Sequence, residues 1–255
     1  MKIYTNKTSV IFLVGGAGSR FSSIEKAPKQ LSKLNKDFIL MHIIKNFQKY
    51  GLNHFIFPLG FKKKYFIKFF NSKKNISKYK FNILKKKFKK KDIFSDKLNI
   101  SFFDAGKNTS KLSRIYKSLN YLISDDLLVA YGDDLANIEL SQLFKKFYLY
   151  KKKKAIITIF KKKSQFGHVI TDKRGLVRKF VEKPPHQYPI NIGNYLFTSK
   201  LIKKFKKYKY ELEDNFLPIL SKHKLLQSYE HKGYFYSIND KKELIIAKKK
   251  LKKIK

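Results

Sequence analysis

Apolar runs of five to eight residues alternate along this chain with longer stretches in which apolar side chains recur every three to four positions. Continuous short runs suit strands buried on both faces, and the longer period suits helices laid over them, so the pattern predicts a largely parallel sheet between helices. Strands are expected at 9–14, 54–59, 98–103, 127–131 and 155–160. A helix over 37–50 would place Leu40, Ile43, Ile44 and Phe47 on one face and stop at Gly51. Residues 109–123 repeat that arrangement, and 138–150 and 238–250 carry the same period.

From Phe166 onward the pieces become strand-like, at 166–171, 176–182 and 190–198, separated by turn signals such as Asp172-Lys-Arg-Gly175 and Lys183-Pro-Pro185. They are expected to extend the same sheet as mixed strands. Residues 71–96 are dominated by lysine and lack a clear period, and they read as an exposed, partly helical insertion. No repeat or linker divides the 255 residues, so a single domain spanning 1–255 is expected.

Composition changes this picture little. The absence of cysteine excludes disulfides, thiolate metal sites and a cysteine nucleophile, and it fits a cytoplasmic protein. No apolar run reaches the roughly 18 residues needed to cross a bilayer, and Val10–Val14 is too short for the core of a secretion signal. A net charge of +41 raises the question of nucleic acid, but the cations are nearly all lysine. Arginine, whose planar fork suits phosphate and base edges, occurs only at 20, 114, 174 and 178. The lysines, including the run at 85–91, are read as solvated faces, with neither nucleic acid nor membrane as a partner.

Candidate chemistry begins after the first strand. Gly15, Gly16 and Gly18 precede Arg20, and Pro28-Lys29 follows. Glycines let backbone N–H groups approach an anion, and Arg20 and Lys29 add charge for a polyphosphate; by spacing alone an ordinary turn remains the alternative. Phe21 stands where a dinucleotide fingerprint needs its third glycine, and the ATPase Gly-Lys-Ser/Thr ending is missing. After the fourth strand comes Gly132-Asp133-Asp134, whose carboxylates suit either Mg²⁺ or a turn closing the strand. Glu182-Lys183-Pro184 and Ile190-Asn-Ile-Gly193 follow at the ends of later strands.

In order and together, these segments resemble the sugar-1-phosphate nucleotidyltransferase family, the nucleoside-diphospho-sugar pyrophosphorylases, over residues 9–247. Asp104-Ala-Gly-Lys-Asn-Thr-Ser110 with Arg114, Phe166-Gly167 and Tyr229-Glu-His-Lys-Gly-Tyr234 are most similar to the glucose-1-phosphate cytidylyltransferase branch. The resemblance implies a Rossmann-like nucleotide-diphospho-sugar transferase fold, Mg²⁺ as cofactor, an NTP (CTP favoured) and a sugar-1-phosphate (glucose-1-phosphate favoured) as substrates, and a homo-oligomer. It implies that Arg20, the glycine loop and Lys29 hold the triphosphate, and that Asp133 carries the metal. Thr109 and Ser110 would lie near the base, Lys183 on the sugar phosphate, and Glu182 and Asn191 on sugar hydroxyls. The family's second metal-binding aspartate should fall at Ser237 or Asn239, neither of them a carboxylate, which leaves Asp240 as the candidate. That departure keeps a catalytically degenerate binding protein as an alternative, beside guanylyl, uridylyl or thymidylyl transfer.

Overall fold

The five residues Ser9–Leu13 form the first strand (β1), and all five are buried. Val10 and Phe12 pack into one apolar cluster and Ile11 and Leu13 into another, so both faces of β1 are covered, as its unbroken apolar run requires. The structure is a computed structural model that describes residues 7–14, 27–85, 88–150, 154–164, 166–205, 211–238 and 240–252.

Beyond β1 the chain forms a small hairpin, β2 (Lys33–Leu34) and β3 (Asp37–Phe38), then helix α1 (Ile39–Gln48) and strand β4 (His54–Leu59). Helices α2 (Lys63–Asn71) and α3 (Lys73–Tyr79) lead to β5 (Phe81–Ile83) and β6 (Leu98–Asp104). Helix α4 (Lys111–Ser118), β7 (Asp126–Tyr131), β8 (Asp134–Ala136), α5 (Leu140–Leu149) and β9 (Ala155–Phe160) follow. The remainder is β10 (His168–Thr171), β11 (Val177–Val181), β12 (Ile190–Thr198), α6 (Ser199–Lys204), α7 (Leu217–Lys222), β13 (Leu226–His231), β14 (Phe235–Ser237) and α8 (Lys241–Lys252).

Among the described residues eight strands join in one sheet in the order β13-β9-β12-β7-β1-β4-β6-β5. All neighbours are parallel except β12, which runs antiparallel to both β7 and β9. This is the expected mostly parallel mixed sheet with flanking helices. Connections from β1 run to β4 on one side, while β7 lies on the other, so the carboxyl ends of β1 and β7 flank the point where open α/β sheets receive ligands.

Three expectations are corrected. Helix α1 starts at Ile39 rather than at Asp37, because the Asp37 carboxylate is drawn into the β2–β3 hairpin. There it accepts hydrogen bonds from the Tyr79 hydroxyl at 2.5 Å and the Phe38 N–H at 3.0 Å, and pairs with Lys45. The segment 71–96 is not wholly an exposed insertion: α3 and β5 lie within it, and Tyr79 and Phe81 are in the core. Finally, β10 and β11 form a separate antiparallel pair rather than extending the main sheet, with Val169, Ile170, Val177 and Phe180 exposed. Among the described residues no helix is long and apolar enough to cross a membrane.

Candidate active site

A cavity of about 510 Å³ opens at the carboxyl ends of β1 and β7, where Leu13 and Tyr131 form part of its wall. Lys29, Asp133, Thr109 and Ser110 all line it, so four residues separated by up to 104 positions in sequence meet on one surface. Lys29 forms an ion pair with Asp133, and the two side chains are only 15 and 18 % exposed. Gly132 allows the turn that presents Asp133: a Cβ there would lie 2.5 Å from Cγ1 of Val14.

The opposite wall is the loop between β6 and α4. Ser110 caps α4 by accepting from the Ser113 N–H at 3.1 Å, and the Thr109 hydroxyl donates to the Ala105 carbonyl at 2.5 Å. Arg114 reaches back from the first turn of α4, 4 % exposed, and donates to the carbonyls of Thr109, Pro58, Gly106 and Lys107 at 2.9–3.2 Å. Its fork thus helps to fix the loop, and burial draws its pKa down from the ordinary value. Gly60 makes room for it, since a Cβ at that position would sit 2.4 Å from the guanidinium.

Asp134 also lines the cavity. Burial first, and then the neighbouring Asp133 carboxylate, push its pKa up to about 7. In the β8–β14 pair Ser237 stands directly opposite Asp134, and it too lines the cavity. Tyr131 donates its hydroxyl to Glu213, which also pairs with Lys111 at 3.0 Å. Burial, with Tyr195 and Glu213 beside it, raises the Tyr131 pKa strongly.

Other expected site residues lie elsewhere. Glu182 and Lys183 follow β11, pair with each other at 3.2 Å and are 59 and 60 % exposed, outside the cavity lining. Asn191 donates to the Tyr195 hydroxyl at 2.6 Å and accepts from the Gly193 N–H at 3.0 Å, which organises the bend in β12. Asp240 is not in the cavity wall: it caps α8, accepting from the Glu243 N–H at 2.7 Å, and Ser237 occupies the facing position instead. Asn239, the loop carrying Gly15, Gly16 and Gly18, and Arg20 lie outside the described residues.

The motifs carried no site role for Arg114 or Tyr131 and marked Ser237 only as a position that lacks the family's aspartate, whereas Asp134 was a candidate carboxylate with Asp133. The Asp134 carboxylate was visible beside Asp133, but its facing partner is 103 residues away.

Asp133, Asp134 and the Ser237 hydroxyl form a set of hard oxygen donors that fits Mg²⁺, an ion that keeps waters or substrate phosphates in its remaining positions. Among the described residues no group of three or more His, Cys, Asp or Glu side chains could hold a metal alone. The donor set therefore fits an ion shared with a phosphorylated ligand.

Fold and cavity together define an α/β protein with a cavity lined by Lys29, Lys107, Lys111 and Arg114 at a sheet switch point. The nucleotidyl transferase family profile matches residues 9–253, and the chain belongs to that family. It is 31 % identical to a probable glucose-1-phosphate cytidylyltransferase of Bacillus subtilis, with 94 % of each chain covered. It is 26 % identical to the glucose-1-phosphate cytidylyltransferase of Salmonella typhimurium over 88 % of each. A solved UDP-glucose pyrophosphorylase complexed with UDP-glucose shares the fold, with a TM-score of 0.69 at 18 % identity over 97 % of this chain and 99 % of the other.

Proposed function

We propose that this protein transfers a nucleotidyl group from an NTP, with CTP favoured, to a sugar-1-phosphate, with glucose-1-phosphate favoured. The observation that carries the reading is the meeting of Lys29 and Asp133 with Thr109 and Ser110 in one cavity. The 31 % identical relative supports the choice of CTP and glucose-1-phosphate.

A phosphate oxygen of the sugar-1-phosphate attacks the α-phosphorus of the nucleotide; the bond from that phosphorus to the bridging oxygen breaks, and pyrophosphate leaves with the electron pair. Both reactants are anions, so catalysis rests on positioning and on neutralising charge. Lys29 leaves Asp133 for the α-phosphate, where its ammonium stabilises the charge that builds as the two oxygens exchange. Arg114 holds the 104–110 loop against the base, with Thr109 and Ser110 presented to it. Lys183 leaves Glu182 to meet the sugar phosphate, and Glu182 and Asn191 bond sugar hydroxyls. Bound Mg²⁺ would supply further neutralisation of phosphate charge at Asp133. The product is a nucleotide sugar, the activated donor used in polysaccharide synthesis.

Pyrophosphate release from each of four NTPs against a panel of sugar-1-phosphates, under Mg²⁺, tests the reading. CTP with glucose-1-phosphate should give the highest kcat/KM. A higher value with GTP, UTP or dTTP transfers the proposal to that nucleotide, and no turnover with any pair contradicts it. A catalytically degenerate binder is the second reading, favoured by Ser237 in the cavity wall and Asp240 on a helix cap. Saturable nucleotide binding without pyrophosphate release would select it.

A further inference from the structure

We infer that Asp134 supplies the second carboxylate of the metal site, opposite Ser237, so that the site keeps two anionic ligands on one loop instead of one on each of two strands. This inference rests on the nucleotidyltransferase reading. It deepens that reading by naming the second carboxylate at a site where Ser237 is neutral and Asp240 lies outside the cavity wall.

The argument is one of placement. Asp133 and Asp134 are consecutive, yet both line the cavity that holds Lys29. The β8–β14 pair is antiparallel, with Phe235 opposite Ala136, Tyr236 opposite Leu135 and Ser237 opposite Asp134. Side chains directly opposite in such a pair start from Cβ atoms about 5 Å apart, so a carboxylate on either strand reaches the same small volume. In this chain the strand that ends at Ser237 offers a hydroxyl, and the strand that begins at Asp134 offers the carboxylate; the two side chains hydrogen-bond to each other. The serine relieves a crowding that a third carboxylate would create beside Asp133 and Asp134. It also contributes a neutral oxygen.

Charge points the same way. Lys29 is paired with Asp133, and the other charged groups acting on Asp134 are Asp133 itself and Glu243 from α8. Around Asp134 the carboxylates of Asp133 and Glu243 are opposed by the Lys29 ammonium, while Lys107, Lys111 and Arg114 stand elsewhere in the cavity wall. A divalent cation beside the two aspartates takes the place of Lys29 there when Lys29 leaves Asp133 for a phosphate. Asp240 lies outside the cavity wall, with one carboxylate oxygen accepting from the Glu243 N–H in the first turn of α8.

Mn²⁺ binding to the full-length protein, followed by electron paramagnetic resonance with CTP present and sugar phosphate absent, tests this without turnover. Asp134→Asn, nearly isosteric, and Asp134→Ser should each weaken Mn²⁺ by about tenfold or more, as loss of a direct ligand costs at least what loss of an outer partner does. The exchanged variant, Asp134→Ser with Ser237→Asp, should recover most of that affinity, because the carboxylate returns to the same volume from the other strand. Circular dichroism should report the wild-type fold for the Asn variant. Wild-type Mn²⁺ affinity in both single variants, or an exchanged variant as weak as Asp134→Ser, overturns the inference while leaving the enzyme reading intact. Failure of the wild-type protein to bind Mn²⁺ with CTP, together with no pyrophosphate release from any nucleotide, overturns both.

Discussion

The two sides of the site are built differently. The wall carrying Lys29, Asp133 and the Arg114-held loop stands on the central strands, and its ion pair is less than one-fifth exposed. Glu182 and Lys183 stand beyond a two-stranded arm outside the main sheet, and their pair is about 60 % exposed. The arm is tied down where the Ser164 N–H donates to the Pro184 carbonyl at 2.7 Å and the His186 N–H to Lys162 at 2.9 Å. An exposed ion pair contributes roughly 0–1 kcal/mol, so Lys183 can exchange Glu182 for an anionic ligand at little cost. The wall is preassembled by the core, and in the proposed function the arm would supply groups that a ligand recruits.

The comparison is broken most severely by Lys29→Ala or Asp133→Asn. Each should lower kcat by about 100-fold or more if these groups act on developing charge, measured by steady-state pyrophosphate release. Losses confined to KM would move them from chemistry to binding. Gly193→Ala strikes the seam between the two sides: the backbone there has φ +70°, and a Cβ would lie 2.0 Å from the Tyr131 ring. A destabilisation of about 2–3 kcal/mol is expected in urea unfolding, and nucleotide affinity should fall with the displaced Tyr131.

Acid should act on the core side. His54 is fully buried in β4, bonded to the Ser9 hydroxyl at 2.9 Å and near the Ser101 hydroxyl at 3.3 Å. Burial lowers its pKa to about 3, so the folded protein holds it neutral while the unfolded chain takes up a proton near the ordinary 6.5. The associated stability is present above pH 6.5 and is lost as pH falls from there toward 3, at about 1.4 kcal/mol per unit. Between pH 6.5 and 5 this amounts to roughly 2 kcal/mol, and His54→Leu should flatten that slope in chemical denaturation. The smallest effect belongs to the arm. Lys183→Ala should raise the KM for the sugar phosphate about tenfold, leave nucleotide affinity unchanged, and alter folding stability by less than about 1 kcal/mol.

The same contrast explains what could be read in the sequence. Strands buried on both faces, such as β1 and β7, announce themselves as apolar runs. Strand β5 does not: it has three residues, lies at the sheet edge and is surrounded by lysine, so its single core residue Phe81 leaves no period. Lys29, Asp133, Thr109 and Ser110 were legible because each sits in a short motif at a strand or helix end. The pairing of Asp134 with Ser237 was not legible, since it is made by strand register between distant segments and not by spacing.

The central claim is that the Lys29–Asp133 cavity receives the nucleotide, and thermal unfolding of the wild-type and Lys29→Ala proteins with CTP tests it most directly. A ligand at 100 times its Kd stabilises the folded state by about 2.7 kcal/mol, so CTP with Mg²⁺ should raise the wild-type Tm by several degrees and the variant's far less. Equal stabilisation of the two proteins, or none of either by any nucleotide, would contradict the account.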